Sequence, residues 1–323
     1  MNHTPPKAPK RHQELTSHGD TRVDPWFWLR DPDNPETLAY LRAENSHTDA
    51  VMAAEETLQQ SLFEEMRGRI KEDDSTVPEK EGDYYYFTRF EEGKQYPIHC
   101  RKHLSLEAPE QILIDVNELA KDKDYCRIGR CENSPDHKWL AYSVDNDGSE
   151  KYTIVFKDLE TNELLSDTIP NSYYSLEWAN DSRTIFYDVL DENHRPVKIF
   201  KHRLGDDPSD DVVVYEDTDE RFFVHVLKSD SKRFIFTASA GNNMSEWHFI
   251  DASDPDSSPT LIQPRQEDFE YDVGVSNYVD ITTLNTNWTA ALPETTMDSG
   301  TNGPDWELSL IHISEPTRPR LIS

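Results

Sequence analysis

Residues 178–189 read Trp178-Ala179-Asn180-Asp181-Ser182-Arg183-Thr184-Ile185-Phe186-Tyr187-Asp188-Val189. A polar turn, Asn180-Asp181-Ser182, separates the short run SLEW (175–178) from the β-branched and aromatic run TIFYDV (184–189). Asp and Ser side chains accept hydrogen bonds from nearby backbone N–H groups and fix such turns. The run that follows has the composition of a strand. The same arrangement recurs along the chain. Gly82-Asp83 precedes YYYFTRF, Ser134-Pro135-Asp136 precedes WLAYSV, Ser229-Asp230-Ser231 precedes FIFTAS, and Ser276-Asn277 precedes YVDITT. Asp136, Asp181, Asp230 and Asn277 stand 45, 49 and 47 residues apart.

Further strand-like runs fill each period. A second follows the first in every unit: YPIHCRK, KYTIVFKDL, VKIFKHRL, EWHFIDA and NWTAAL. A third follows in most: QILIDV, ELLSDTI, VVVYED and TLIQPR. A short fourth, such as SLEWAND or FFVHVLKSD, leads into the next turn. Four short strands per period of about 40–50 residues is the signature of propeller blades. The fold class is therefore mainly β, an incomplete β-propeller; the alternative is a twisted β-sandwich with the same strand spacing. About five repeats begin between residues 76 and 307, the fifth ragged, whereas a propeller ring must close to protect its edges.

The pattern upstream is different. Residues 1–34 are rich in Pro, His and charge and read as an extended arm. Asn34-Pro35 has the form of a helix start, with Asn as the cap and Pro where its missing N–H costs nothing. Leu38, Leu41, Met52, Leu58, Leu62, Met66 and Ile70 then recur at helical spacing, predicting one or two helices over 35–71. Residues 1–75 thus form an arm and helices whose apolar stripe needs a core of its own. After Pro78 no further helix is predicted.

The end of the chain departs from the repeat. Leu308–Arg318 (LSLIHISEPTR) resembles an in-frame translation of the mosaic end and flanking arm of a transposase-based sequencing adapter. The next three residues fit a sample index, and Ile322-Ser323 fits the following adapter segment. Residues 308–323 are accordingly expected to be a non-native tail.

Composition removes several classes of function. The formal net charge is −30, which repels phosphate over most of the surface and argues against nucleic acid. No apolar run approaches the roughly 20 residues of a membrane span. Met1–Lys10 is basic but has no apolar stretch after it, so no secretory leader is expected and the chain reads as cytoplasmic. Cys100, Cys126 and Cys131 read as reduced thiols, and their spacing suits neither a redox motif nor zinc; no cofactor or metal is expected. No two glycines lie four apart, so a nucleophile elbow cannot be drawn, and neither can a nucleotide loop. Ser239, in TASAGNN, reads as a strand-end turn. His99, His225 and His248 fall in strands, and His18-Gly19-Asp20 reads as a turn. Asp210-Asp211 and Glu267-Asp268 are acid pairs that nothing singles out. Trp139, Trp178 and Trp247 recur within repeats, as core residues between blades do.

The arm carries a more specific signal. His18-Gly19-Asp20-Thr21-Arg22-Val23-Asp24-Pro25-Trp26-Phe27-Trp28-Leu29-Arg30-Asp31 resembles the opening of the prolyl oligopeptidase family of serine peptidases. Leu41-Arg42-Ala43-Glu44-Asn45 and the Leu58–Ile70 helix are most similar to its oligopeptidase B branch. The resemblance continues through Tyr84-Tyr85-Tyr86, Trp178–Ser182, Tyr215-Glu216-Asp217, Pro264-Arg265 and Glu270-Tyr271. It implies a seven-bladed propeller inserted after an arm that belongs to an α/β-hydrolase domain. It further implies a propeller that admits only short peptides, cleaved after Arg or Lys. The Ser, Asp and His of such an enzyme lie in the hydrolase domain, so no catalytic residue is assigned to any position here. The chain alone is expected to be inactive, with short basic peptides and the absent hydrolase domain as partners of the whole enzyme. The alternative reading is a stand-alone propeller that binds without catalysis.

Overall fold

A computed structural model describes residues 4–274 and 309–314. The chain divides into two compact units at Asp74/Ser75.

The first unit opens with a hairpin, β1 (Glu14–Ser17) and β2 (Asp20–Val23). Its two-residue turn is His18-Gly19, both at positive φ (52° and 80°), the geometry that matches the twist of paired strands. The polar triplet at 18–20 is thus a turn. Trp28 holds the arm together: its indole N–H donates to the Pro9 carbonyl (3.0 Å) and its ring lies under the Arg11 guanidinium (4.5 Å). Helix α1 (Pro35–Met52) starts where the sequence predicts, with Asn34 Oδ1 accepting from Glu36 N–H at 2.9 Å. A 3-10 turn at Ala53–Glu55 separates it from α2 (Glu56–Arg67). The one or two helices predicted over 35–71 are thus two, the second capped at Gly68. Its apolar stripe is uncovered: Leu58, Leu62, Phe63, Met66 and Ile70 are all exposed, and Thr37 is the buried residue of α1.

The second unit is a succession of antiparallel meanders. The first sheet is β3 (Glu79–Glu81), β4 (Tyr84–Arg89), β5 (Ile98–His103) and β6 (Glu110–Asp115). A one-turn helix, α3 (Val116–Leu119), follows, where no helix is predicted; Asp115 caps it by accepting from Asn117 N–H (2.9 Å). The second sheet is β7 (Arg127–Asn133), β8 (Trp139–Asp145), β9 (Tyr152–Asp158) and the first half of β10 (Leu164–Trp178). The second half of β10 opens the third sheet, with β11 (Thr184–Leu190), β12 (Pro196–Arg203) and β13 (Val212–Glu216). The register of β10 shifts after Ile169 on one side and after Ser172 on the other, so the seven strands β7–β13 are hydrogen-bonded in one continuous run in which the long β10 serves two four-stranded sheets. The fourth sheet is β14 (Phe223–Lys228), β15 (Phe234–Ala240), β16 (Ser245–Asp251) and β17 (Thr260–Gln263).

This corrects the phase of the repeat. SLEW and FFVHVLK do not close a unit; each pairs with the strand after the turn and opens the next sheet. β18 (Glu270–Gly274) opens a fifth set and pairs antiparallel with β19 (Ser309–Ser314), so a segment of the adapter-like tail lies as a strand. The expected fifth repeat, from Ser276-Asn277, lies outside the described residues.

The second strands of the second, third and fourth sheets are buried on both faces, which fixes the stacking, whereas β4 of the first sheet is half-buried throughout. In β8, Leu140, Tyr142 and Val144 face the first sheet with Leu113 and Ile114, while Ala141 faces the third. In β11, Ile185 and Tyr187 face back to Ile154 and Phe156, while Phe186 faces forward to Val224 and Ile235. In β15, Ile235 faces back and Phe234, Phe236 and Ala238 face forward to Tyr271. Such strands read as nearly continuous apolar runs. Each fully buried Ile, Leu or Phe contributes roughly 1.5–3 kcal/mol. Trp178 and Trp247 are buried in these cores and Trp139 packs against one. The opening strands β7, β10 and β14 approach one another directly, as strands around a propeller hub do.

The polar turns have one geometry. Ser134, Ala179 and Ser229 each accept from the N–H three residues on and donate their own N–H five residues on, to Trp139, Thr184 and Phe234. His137, Ser182 and Lys232 hold the matching positive φ, 60°, 55° and 60°. Asp181 Oδ1 accepts from the N–H groups of Arg183 and Thr184 (both 2.9 Å), as the sequence predicts; Asp230 has no such bond, and Ser229 Oγ takes Phe234 N–H (3.0 Å) instead.

Candidate functional site along the opening strands

β7 and the second half of β10 each carry a bulge, between Ile128 and Cys131 and between Ser172 and Leu176. A bulge leaves backbone N–H groups without ladder partners, and a side chain from the next strand takes each. Ser143 Oγ accepts from Arg130 N–H at 2.9 Å. One repeat on, the buried Asp188 accepts from Tyr173 N–H (3.2 Å), Ser175 N–H (3.1 Å) and Ser175 Oγ–H (2.6 Å). Ser175 Oγ in turn accepts from Val226 N–H (3.0 Å), joining the third and fourth sheets.

The far ends of these strands hold an ion network. Arg130 Nε lies 2.9 Å from Glu132 Oε1, and its terminal nitrogen lies 3.1 Å from Glu177 Oε1 in the next sheet. Trp178 Nε1 donates to the Glu132 carbonyl (3.0 Å), Lys228 Nζ to the Trp178 carbonyl (2.6 Å), and Lys232 Nζ lies 3.5 Å from Glu81. Burial, and then the charge of Glu132, pushes the Glu177 carboxyl up to about 7. Burial raises Glu132 as well, and lowers Lys228 to about 8. One guanidinium thus joins two reluctant carboxylates from adjacent sheets. The near ends carry Arg127, Tyr173 and Tyr174. A cavity of about 480 Å³ lies between the first two sheets, lined by Tyr96, His99, Arg127, Arg130 and Glu132 among others.

The residues weighed from sequence are scattered. Ser239 is in β15 with its hydroxyl on Asp217 Oδ2 (2.5 Å), and Arg265 joins the same carboxylate while stacking on Phe222 at 3.9 Å. It sits near the strand end as predicted, but fully buried in a polar anchor rather than in a turn. His99 bonds Thr88 Oγ1 at 3.3 Å, and burial lowers its pKa. His225 Nδ1 is 3.6 Å from Asp188, and His248 packs on Tyr215. Asp211 is buried between His202 Nδ1 and Tyr187 Oη, both at 2.7 Å, while Asp268 accepts from Asn243 at the surface (2.7 Å). Burial raises the Cys100, Cys126 and Cys131 thiols. Among the described residues no group of three or more His, Cys, Asp or Glu is placed to hold a metal, and no helix is long and apolar enough to cross a membrane. The network of Arg130, Glu132, Glu177 and Lys228 was not foreseen. Its one signal is that Glu132 and Glu177 stand 45 residues apart, each two places before a repeat turn.

Comparison with known proteins follows the same outline. Residues 5–312 match the family described as prolyl oligopeptidase, N-terminal beta-propeller domain. Protease 2 of Moraxella lacunata is 38% identical over 263 residues, covering 79% of this chain and 38% of that protein. Dipeptidyl aminopeptidase BI of Pseudoxanthomonas mexicana is 40% identical over 287 residues, covering 83% and 40%. Oligopeptidase B from Leishmania major superposes with a TM-score of 0.80 at 29% identity, over 84% of this chain and 41% of that one. The chain therefore spans about two fifths of the length of the relatives it matches.

Proposed function

This chain belongs to the prolyl oligopeptidase family through its N-terminal β-propeller domain, and on that premise we propose that it is the non-catalytic portion of a serine oligopeptidase acting on short peptides after Arg or Lys. Residues 1–75 are read as part of a hydrolase domain, residues 76–307 as the propeller, and residues 308–323 as adapter-derived. Genomic sequence running unbroken through codon 308, without an adapter match, would remove the last assignment.

The observation that carries the proposal is the uncovered face of α2. Leu58, Leu62, Phe63 and Met66, with Ile70 just past the helix end, form an apolar stripe that requires a partner surface. A hydrolase domain supplies one, and with it the chemistry: a serine attacks, a histidine moves the proton, an aspartate orients the histidine. The opening strands of the propeller contribute a gate. Their bulges and the Arg130 network hold adjacent sheets together around the hub, and a narrow hub passes extended peptides but not folded chains.

The test joins this chain to the hydrolase portion of the Moraxella lacunata relative and compares chromogenic peptides ending in Arg, Lys, Pro and Leu. Cleavage after Arg and Lys, falling as the peptide lengthens, is the expected result. Preference for Pro, or cleavage indifferent to length, would sink the reading. The chain alone should give no turnover sensitive to a serine-directed inhibitor.

A further inference from the structure

The first and second sheets are joined at one corner through a buried cation. Arg101, in β5, is 3% exposed and reaches the turn between β7 and β8, where its Nη1 donates to the His137 carbonyl at 2.6 Å. Its Nε donates to Gln111 Oε1 (2.7 Å), and its guanidinium lies 4.1 Å from the centre of the Tyr84 ring. These partners are all neutral. The same Nη1 lies 3.5 Å from the Tyr86 hydroxyl oxygen, and that oxygen lies 2.8 Å from His137 Nδ1. Arg101 therefore grips His137 twice, directly at its carbonyl and through Tyr86 at its ring.

The order of donors follows from chemistry. A guanidinium can only donate, so the Tyr86 oxygen accepts from Arg101 and turns its own proton to His137 Nδ1. Burial pushes the Tyr86 phenol up to about 12, which keeps that proton in place. Nδ1 is then an acceptor and the imidazole is neutral. The ring has little room to turn away: His137 stands at positive φ (60°), its ring stacks on Tyr86, and a Cβ on Gly82 would lie 2.7 Å from its Nε2.

A proton on Nδ1 reverses the Tyr86 bond. The hydroxyl would then face two donors, its own proton would lose its acceptor, and two cations would stand one hydroxyl apart. Burial disfavours the imidazolium most; Glu81 favours it, Arg101 opposes it, Asp136 and Asp83 favour it, and His137 is left below the ordinary histidine value. Glu81 is itself paired with Lys232 (3.5 Å), and His103 packs on Tyr84 (4.9 Å).

We propose that Arg101, Tyr86 and His137 form an acid-sensitive latch between the first and second sheets, closed while His137 is neutral and released when its ring gains a proton. A histidine whose folded value is depressed adds stability above its unfolded value, 6.5, and that stability is lost as pH falls through the folded one. The latch holds one corner of the joint. Gln111 Nε2 on the Leu159 carbonyl and Lys157 Nζ on the Leu113 carbonyl, both at 2.7 Å, hold the rest. Release therefore loosens the turn and β4 without parting the sheets.

The test follows hydrogen exchange of the 323-residue chain by mass spectrometry at pH 7.5 and pH 5.0. It reads residues 82–89 and 134–142 against residues 234–240 of the fourth sheet. Protection of the first two, corrected for intrinsic exchange and taken relative to the third, should fall about fivefold in acid, the effect of one hydrogen bond. His137→Asn keeps an acceptor on a residue type that tolerates positive φ, and should show no such fall. Tyr86→Phe should be less protected already at pH 7.5 and lose nothing more in acid. No relative fall in the unaltered chain, the same fall in His137→Asn, or undiminished protection in Tyr86→Phe would each overturn the proposal. Full protection of residues 234–240 verifies that each variant is folded. NMR titration of the His137 ring in the unaltered chain needs no variant: a midpoint below 6.5 is expected, and one at or above 6.5 would overturn the latch.

Discussion

Arg130, in the opening strand of the second sheet, reaches across to Glu177 in the opening strand of the third at 3.1 Å. The same guanidinium holds Glu132 of its own strand, so a single cation serves two carboxylates whose burial disfavours their charge. Breaking such a pair by removing one partner leaves an uncompensated buried charge, which is where the cost lies.

The first prediction concerns pH. Glu177 titrates near 7 in the folded chain against an ordinary value of 4.5. The folded state therefore holds this proton more tightly than the unfolded one. The stabilisation is complete below about 4.5 and is lost as pH rises through 7, by up to roughly 3 kcal/mol. Urea denaturation of the chain and of Glu177→Gln between pH 5 and 8 should show the native protein losing stability relative to the variant. Parallel curves would refute the assignment.

Gly129→Ala should destabilise the second sheet. A Cβ there would lie 2.7 Å from a ring carbon of Tyr152 and 2.8 Å from Ser143 Oγ, and both neighbours are buried. Overpacking of this kind costs about 1–3 kcal/mol. Thermal unfolding with an unshifted midpoint would count against the packing described for the bulge.

Asp188→Ala removes the acceptor for three donors in the bulge of the third sheet. Each donor left buried without a partner costs about 1–3 kcal/mol. The variant should lose at least about 2 kcal/mol by urea denaturation, more than Asp230→Ala, whose side chain fixes nothing in its turn. Equal losses would show that the bulge is filled in another way.

Asn34→Ala should weaken α1 by about 1 kcal/mol, the usual effect of losing a side-chain cap. Leu62→Glu on the uncovered face of α2 should change the stability of this chain by less than about 0.5 kcal/mol, since it disturbs no core. In the joined enzyme the same change should be strongly destabilising. A large loss in the chain alone would mean that the stripe is already covered.

What the sequence by itself determined was local. The Asn34 cap, the His18-Gly19 turn and the Asp181 turn depend on hydrogen bonds between residues a few positions apart, and composition alone locates them. The doubly buried second strands were also legible, because burial on both faces leaves a nearly continuous apolar and aromatic run such as Ile185–Tyr187. Tertiary structure alone decided which strands share a sheet. The run before each turn can pair with the strand that follows or the one that precedes, and both look alike in sequence; cores on the two faces of β11 select the former. The same holds for Arg130 and Glu177. A charged residue in a strand reads as solvent-facing, and only the meeting of two opening strands 47 residues apart buries Glu177 against a half-exposed Arg130.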